Sequence, residues 1–131
     1  MEYNPLMRIT ILLLVSDPVA RSVLQETLER AGYTVLATGD LGQAVDRLKE
    51  ISPDLLITRP YVQGLPGHDA AIYLRTKCLK MNVLIMGGFL DDERLQTREL
   101  LQGFEIFPKP YPVSEFLDKV REVLNKPRNP A

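Results

Sequence analysis

Few residues in this chain have both the type and the setting for chemistry. It holds one histidine, His68, and one cysteine, Cys78. A thiol nucleophile needs a base within reach, and His68 is the only imidazole on offer. His68 follows Gly67 at the start of a predicted helix and reads as a surface or capping residue. Cys78 sits on a predicted helix face and reads as a buried, inert thiol. What remains is a set of residues placed just after short apolar runs: Ser16 and Asp17, Arg59, Gly87, and Lys109. Arg59 and Lys109 are cations, and a guanidinium stays protonated. At a separation of about 5 Å and an effective dielectric of about 20 they would repel by about 3 kcal/mol. Together they suit an anion; otherwise Arg59 reaches solvent or pairs with Asp17, and Lys109 bonds carbonyl oxygens at the strand ends. Gly87 and Gly88 leave room for a ligand or permit a tight turn. Asp91, Asp92 and Glu93 look like an acidic cluster but fit a helix cap and first turn.

The elements that must position these residues alternate in texture. Strands are predicted at Ile9–Val15, Thr34–Thr38, Leu55–Thr58, Val83–Met86 and Glu105–Phe107. They are near-continuous apolar runs, as expected of strands buried on both faces of a parallel sheet. Helical spacing lies between them. Val19, Val23, Leu24, Leu28 and Ala31 mark the first helix, with Asp17 as N-cap, Pro18 at its first position and Gly32 past its end. Leu41, Ala44, Val45, Leu48 and Ile51 mark the second. The third spans roughly Asp69–Leu79, the fourth Asp91–Leu101, and the fifth Val113–Leu124 with Phe116, Leu117, Val120 and Leu124 on one face. Strands alternating with helices argue for a doubly wound α/β fold with right-handed crossovers. Sites in such folds sit beyond the carboxyl ends of the strands, where Ser16, Asp17, Arg59, Gly87 and Lys109 fall.

Bulk properties narrow the function classes. The 131 residues suit one domain, predicted over residues 8–125. Residues 1–7 read as a tail, and residues 126–131 as a tail or truncated linker. Net charge is −1, from 16 basic and 17 acidic residues, with no long block of one sign, so no nucleic-acid footprint is expected. The run Ile9–Val15 is far too short for a membrane span and lacks the features of a signal peptide. A single cysteine favours the cytoplasm. No glycine-rich phosphate loop follows the first strand, and no catalytic constellation is found, so an enzyme is not expected.

Three motifs carry a family resemblance: Ile-Leu-Leu-Leu-Val-Ser-Asp-Pro at 11–18, Pro-Asp-Leu-Leu-Ile-Thr-Arg-Pro-Tyr-Val-Gln-Gly-Leu-Pro-Gly at 53–67, and Phe-Pro-Lys-Pro-Tyr at 107–111. Over roughly Arg8 to Asn125 the chain resembles the receiver domain of bacterial response regulators. The resemblance implies a flavodoxin-like, CheY-like fold: a five-stranded parallel sheet of order 2-1-3-4-5 in a three-layer αβα sandwich. A working receiver needs two acids after the first strand for Mg²⁺, an aspartate acceptor after the third, a hydroxyl after the fourth and a lysine after the fifth. Here those positions fall on Val15 and Ser16, Arg59, Gly87 and Lys109, and the family's aromatic switch position falls on Ile106. Only Lys109 matches. Mg²⁺ relies on carboxylate and other oxygen ligands in near-octahedral array, so its binding is expected to be weak or absent, with no other cofactor.

Two functional expectations follow. One is a phosphorylation-independent, two-component-type signalling module that works by protein contact, with a kinase, an effector or a second copy as partner, a homodimer included. The resemblance implies a partner face bearing Arg94, Arg98, Ile106, Tyr111, Glu115 and Lys119, whose mixed charge suits a specific transient contact. The other is an anion or small-metabolite sensor built on Arg59 and Lys109. An active receiver phosphorylated at another residue is a minor third.

Overall fold

The structure, a computed structural model, describes residues 9–59, 61–62, 65–86, 105–107 and 112–126. Its strands are β1 (Thr10–Leu14), β2 (Thr34–Thr38), β3 (Leu55–Thr58), β4 (Tyr61–Val62), β5 (Leu65–Pro66), β6 (Asn82–Met86) and β7 (Glu105–Phe107). The helices are α1 (Pro18–Arg30), α2 (Leu41–Leu48), α3 (Gly67–Lys77) and α4 (Val113–Leu124). Strands β2, β1, β3 and β6 lie side by side in that order, all parallel, and the three-residue β7 joins at the β6 edge. Strands β4 and β5 form a separate antiparallel pair, Tyr61 opposite Pro66 and Val62 opposite Leu65. The sequence predicts no strand in that stretch. Two-residue strands carry no periodicity from which to read them.

Burial explains the parallel sheet. All of Ile11, Leu12, Leu13, Leu14, Leu55, Leu56 and Ile57 are shut off from solvent, so both sheet faces are covered. Alternate side chains go to opposite faces. Ile11, Leu13, Val15, Leu55, Ile57, Leu84 and Met86 pack with Leu24 and Leu28 of α1 and Phe116, Val120 and Val123 of α4. Leu12, Leu14, Leu56, Val83 and Ile85 pack with Ala44 of α2 and Ala70, Ala71 and Leu74 of α3. Each fully buried Leu or Ile is worth about 1.5–3 kcal/mol of transfer energy.

The helix ends follow local rules. Asp17 Oδ1 accepts the Val19 N–H at 3.2 Å, and Pro18 opens α1. Gly32, at φ 103°, follows the C-cap Ala31 in the conformation that only glycine adopts cheaply. Asp40 Oδ1 accepts from Gly42 N at 2.7 Å and more distantly from Gln43 N at 3.4 Å, starting α2. One expectation fails on α1. Val19 and Val23 are 70% and 58% exposed, so they do not share the buried face with Leu24 and Leu28. The apolar residues of α1 form two stripes, of which one meets the sheet. In α2, Leu48 is the last helical residue, and Ile51 lies beyond the helix and is exposed.

No helix among the described residues is long and apolar enough to cross a membrane.

Candidate functional site

The carboxyl ends of β1, β2 and β3 converge at one edge of the sheet. The register sets Leu14 beside Thr38 on one side and Thr58 on the other. Val15, one residue past β1, extends the ladder by donating its N–H to Thr38 O at 3.0 Å. Ser16 and Asp17 then turn the chain into α1, and both are exposed. Arg59 follows directly on β3 and is half-buried. The structure therefore brings Ser16, Asp17 and Arg59 to the same edge. Gly87 and Lys109, the other two members of the expected pocket, lie outside the described residues.

Hydroxyls organise the floor of this edge. The fully buried Thr58 donates its Oγ1 hydrogen to Leu14 O at 3.0 Å, tying β3 to β1. Thr38 Oγ1 accepts the Asp40 N–H at 3.1 Å and donates to Gln43 Oε1 at 2.7 Å, which fixes the β2–α2 turn. Among the described residues Arg59 forms no ion pair with Asp17 or with any other carboxylate. Asp17 serves as the α1 cap. The pairing of those two residues, one reading of the sequence, is not made.

The residue that sequence reasoning missed is Arg21. Its Nη1 donates to Val15 O at 2.8 Å and to Ser16 O at 3.3 Å. The guanidinium thus sits on the carbonyl oxygens at the end of β1. A Cβ on Gly39 would overlap that same nitrogen and would lie 3.2 Å from Val15 O, so the glycine after β2 leaves the space that Arg21 fills. Two weak signals were available in the sequence: a cation in the first turn of α1, where the helix dipole disfavours it, and a glycine at a strand end.

The divalent ion implied by the receiver resemblance does not fit these residues. The first acid position is Val15, whose side chain is fully buried in the core under α1 and α4. The second is Ser16. The adjoining carboxylate, Asp17, caps α1, and the two carbonyls at the end of β1, Val15 and Ser16, accept from Arg21. Among the described residues no three His, Cys, Asp or Glu side chains group as metal ligands.

The expected partner face is described in part. Arg94, Arg98 and Tyr111 lie outside the described residues, and Ile106 is placed in β7 by its backbone. Glu115 is exposed in the first turn of α4. Lys119 is less displayed than expected: its side chain is 22% exposed and its Nζ pairs with Glu122 at 2.7 Å. Cys78, expected buried on a helix face, instead lies just past α3 and is half-buried, its thiol donating to Pro53 O at 3.8 Å.

Comparison with known proteins agrees with this architecture. Residues 11–121 match the family described as the response regulator receiver domain. The chain is 25% identical over 114 residues to sporulation initiation phosphotransferase F of Bacillus subtilis, covering 86% of this chain and 92% of that one. It is 26% identical over 115 residues to the C4-dicarboxylate transport transcriptional regulatory protein DctD of Pseudomonas aeruginosa. That match takes in 87% of this chain but only 25% of the longer regulator. Among solved structures it is similar to a CheY-like response regulator receiver domain protein from Methanospirillum hungatei, with a TM-score of 0.81 at 18% identity, covering 90% of this chain and 94% of that one.

Proposed function

This chain belongs to the response regulator receiver family, and on that premise we propose that it is a receiver-like signalling module whose output is set by protein contact and not by phosphoryl transfer. The observation that carries the reading is Arg59. It occupies the position directly after β3 where the family carries its acceptor aspartate. An arginine has no oxygen to accept a phosphoryl group and keeps its charge. The β1 end supports the same reading, because its two acid positions hold a core valine and a serine. The module then works without catalysis, in the cytoplasm, by presenting a fixed receiver surface. Glu115 and Lys119 on α4 belong to the face through which a kinase, an effector or a second copy would engage it. Self-association is one form of that contact, and a strict monomer at every concentration in solution would remove it.

A second reading has an observation of its own: Arg59 has no carboxylate partner among the described residues. A half-buried guanidinium with no carboxylate against it among the described residues, at the ligand edge of an α/β sheet, suits an anion.

One experiment separates these readings. The protein is incubated with acetyl phosphate and Mg²⁺ for intact mass, and its melting temperature is followed through a titration with inorganic phosphate. No adduct and no melting shift support the protein-contact reading. No adduct with a saturable upward shift supports the anion reading. A stoichiometric, acid-labile adduct overturns both and returns the chain to ordinary phosphorelay chemistry.

A further inference from the structure

We propose that Arg21 is a resident cation of the strand-end edge, holding the β1–α1 turn through the Val15 and Ser16 carbonyls, and that Gly39 is the residue that admits it. The inference rests on the reading above and names what holds the end of β1 where the family's two acid positions fall on Val15 and Ser16.

Three observations carry it. Arg21 lies in the opening turns of α1, where its own N–H bonds Asp17 O at 2.9 Å. That is the positive end of the helix dipole, where a cation is disfavoured, and beyond the N-cap Asp17, α1 has no acid in its first turn to offset it. A cation kept there needs another source of stabilisation. The second observation supplies one: the two strand-end carbonyls at 2.8 and 3.3 Å from Nη1. Hydrogen bonds from a charged donor are roughly twice as strong as neutral ones. The third is Gly39. Its φ lies outside the left-handed region that favours glycine, yet a Cβ there would overlap Arg21 Nη1. An added Cβ would therefore move the guanidinium from its seat on the carbonyls and crowd Val15 O at 3.2 Å. One guanidinium thus joins α1 to the end of β1, seated beside Gly39 at the end of β2, and its charge does not depend on the concentration of any metal.

The test is a double-mutant cycle on the full chain with Arg21→Ala, Gly39→Ala and the pair, read by urea denaturation, together with a Mg²⁺ titration of the wild-type melting temperature. If Arg21 were a plain surface residue, alanine would leave stability unchanged or raise it, because it removes an ill-placed charge and is the better helix former. The proposal expects the opposite, a roughly ten-fold loss in the folding equilibrium constant for loss of a charge-assisted bond. Gly39→Ala should cost a similar factor by displacing the guanidinium. The pair should cost no more than one of the single changes, and Mg²⁺ should leave the wild-type melting temperature unmoved. Additive losses, a neutral Arg21→Ala, or saturable stabilisation by Mg²⁺ would each overturn it. The outcome is separable from the phosphorylation test. A coupled cycle alongside a phosphoryl adduct keeps Arg21 in this role and removes the phosphorylation-independent reading. Additive losses without an adduct do the reverse.

Discussion

Placing an acid at the first family metal position should unfold much of this protein's margin. Val15 is fully buried and packs with Leu24, Leu28 and Phe116. Val15→Asp forfeits about 2 kcal/mol of apolar burial. The carboxyl that replaces it has no partner in that core, so the cheapest native state keeps it protonated. Holding a group of ordinary pKa about 3.9 in its neutral form at about pH 7 costs about 4 kcal/mol. The two terms total about 6 kcal/mol, against a stability of about 5–15 kcal/mol for a typical domain. Because the folded-state pKa is raised, the native state binds more protons than the unfolded chain above pH about 4, and stability falls as pH rises, by about 1.4 kcal/mol per unit. The loss should therefore shrink in mildly acid buffer. Urea denaturation of Val15→Asp and Val15→Ala at neutral and acid pH measures both quantities. If the two variants match to within about 1 kcal/mol at neutral pH with no difference in pH slope, position 15 reaches water after all. The argument that core packing closes the metal position would then be wrong.

The remaining predictions concern capping and titration. Asp40→Ala should destabilise by about 1 kcal/mol through loss of the α2 cap, and more than Asp17→Ala. Asp40 Oδ1 holds its helix N–H at 2.7 Å where Asp17 holds its own at 3.2 Å; comparing the two unfolding midpoints decides. Burial pushes the Tyr33 hydroxyl above the ordinary tyrosine value of 10.0, with the nearby Arg121 charge opposing the shift. Stability is thus undiminished below the unfolded pKa and is lost as pH climbs from there through the raised folded value. Tyr33→Phe should remove that alkaline loss, and Arg121→Ala should raise the Tyr33 titration further, both read by absorbance titration and alkaline unfolding.

Much of the architecture was readable from local pattern. Buried parallel strands need apolar residues on both faces, so Leu55–Thr58 announces itself without reference to the rest of the chain. Caps are equally local: Asp17, Pro18 and Gly32 bound α1 because an N-terminal acceptor, a fixed φ and a left-handed residue are single-position requirements. The placement of Ser16, Asp17 and Arg59 at one edge also followed, since every strand of a parallel sheet ends on the same side. What sequence alone left open was the choice between neighbours that chain order does not relate. Val19, Val23, Leu24 and Leu28 share a helical spacing, yet only the last two face the sheet, because the angle at which α1 lies on β1 and β2 is a property of packing. Whether Asp17 would reach Arg59 or cap its own helix was likewise settled by competition, and the cap lies two residues away at no cost in chain entropy. Arg21 on the carbonyls of Val15 and Ser16, beside Gly39, required three elements to meet. The sequence determined which charges end up at the strand-end edge. Tertiary structure decided which of them is spent on backbone oxygens and which, at Arg59, is left without a carboxylate among the described residues.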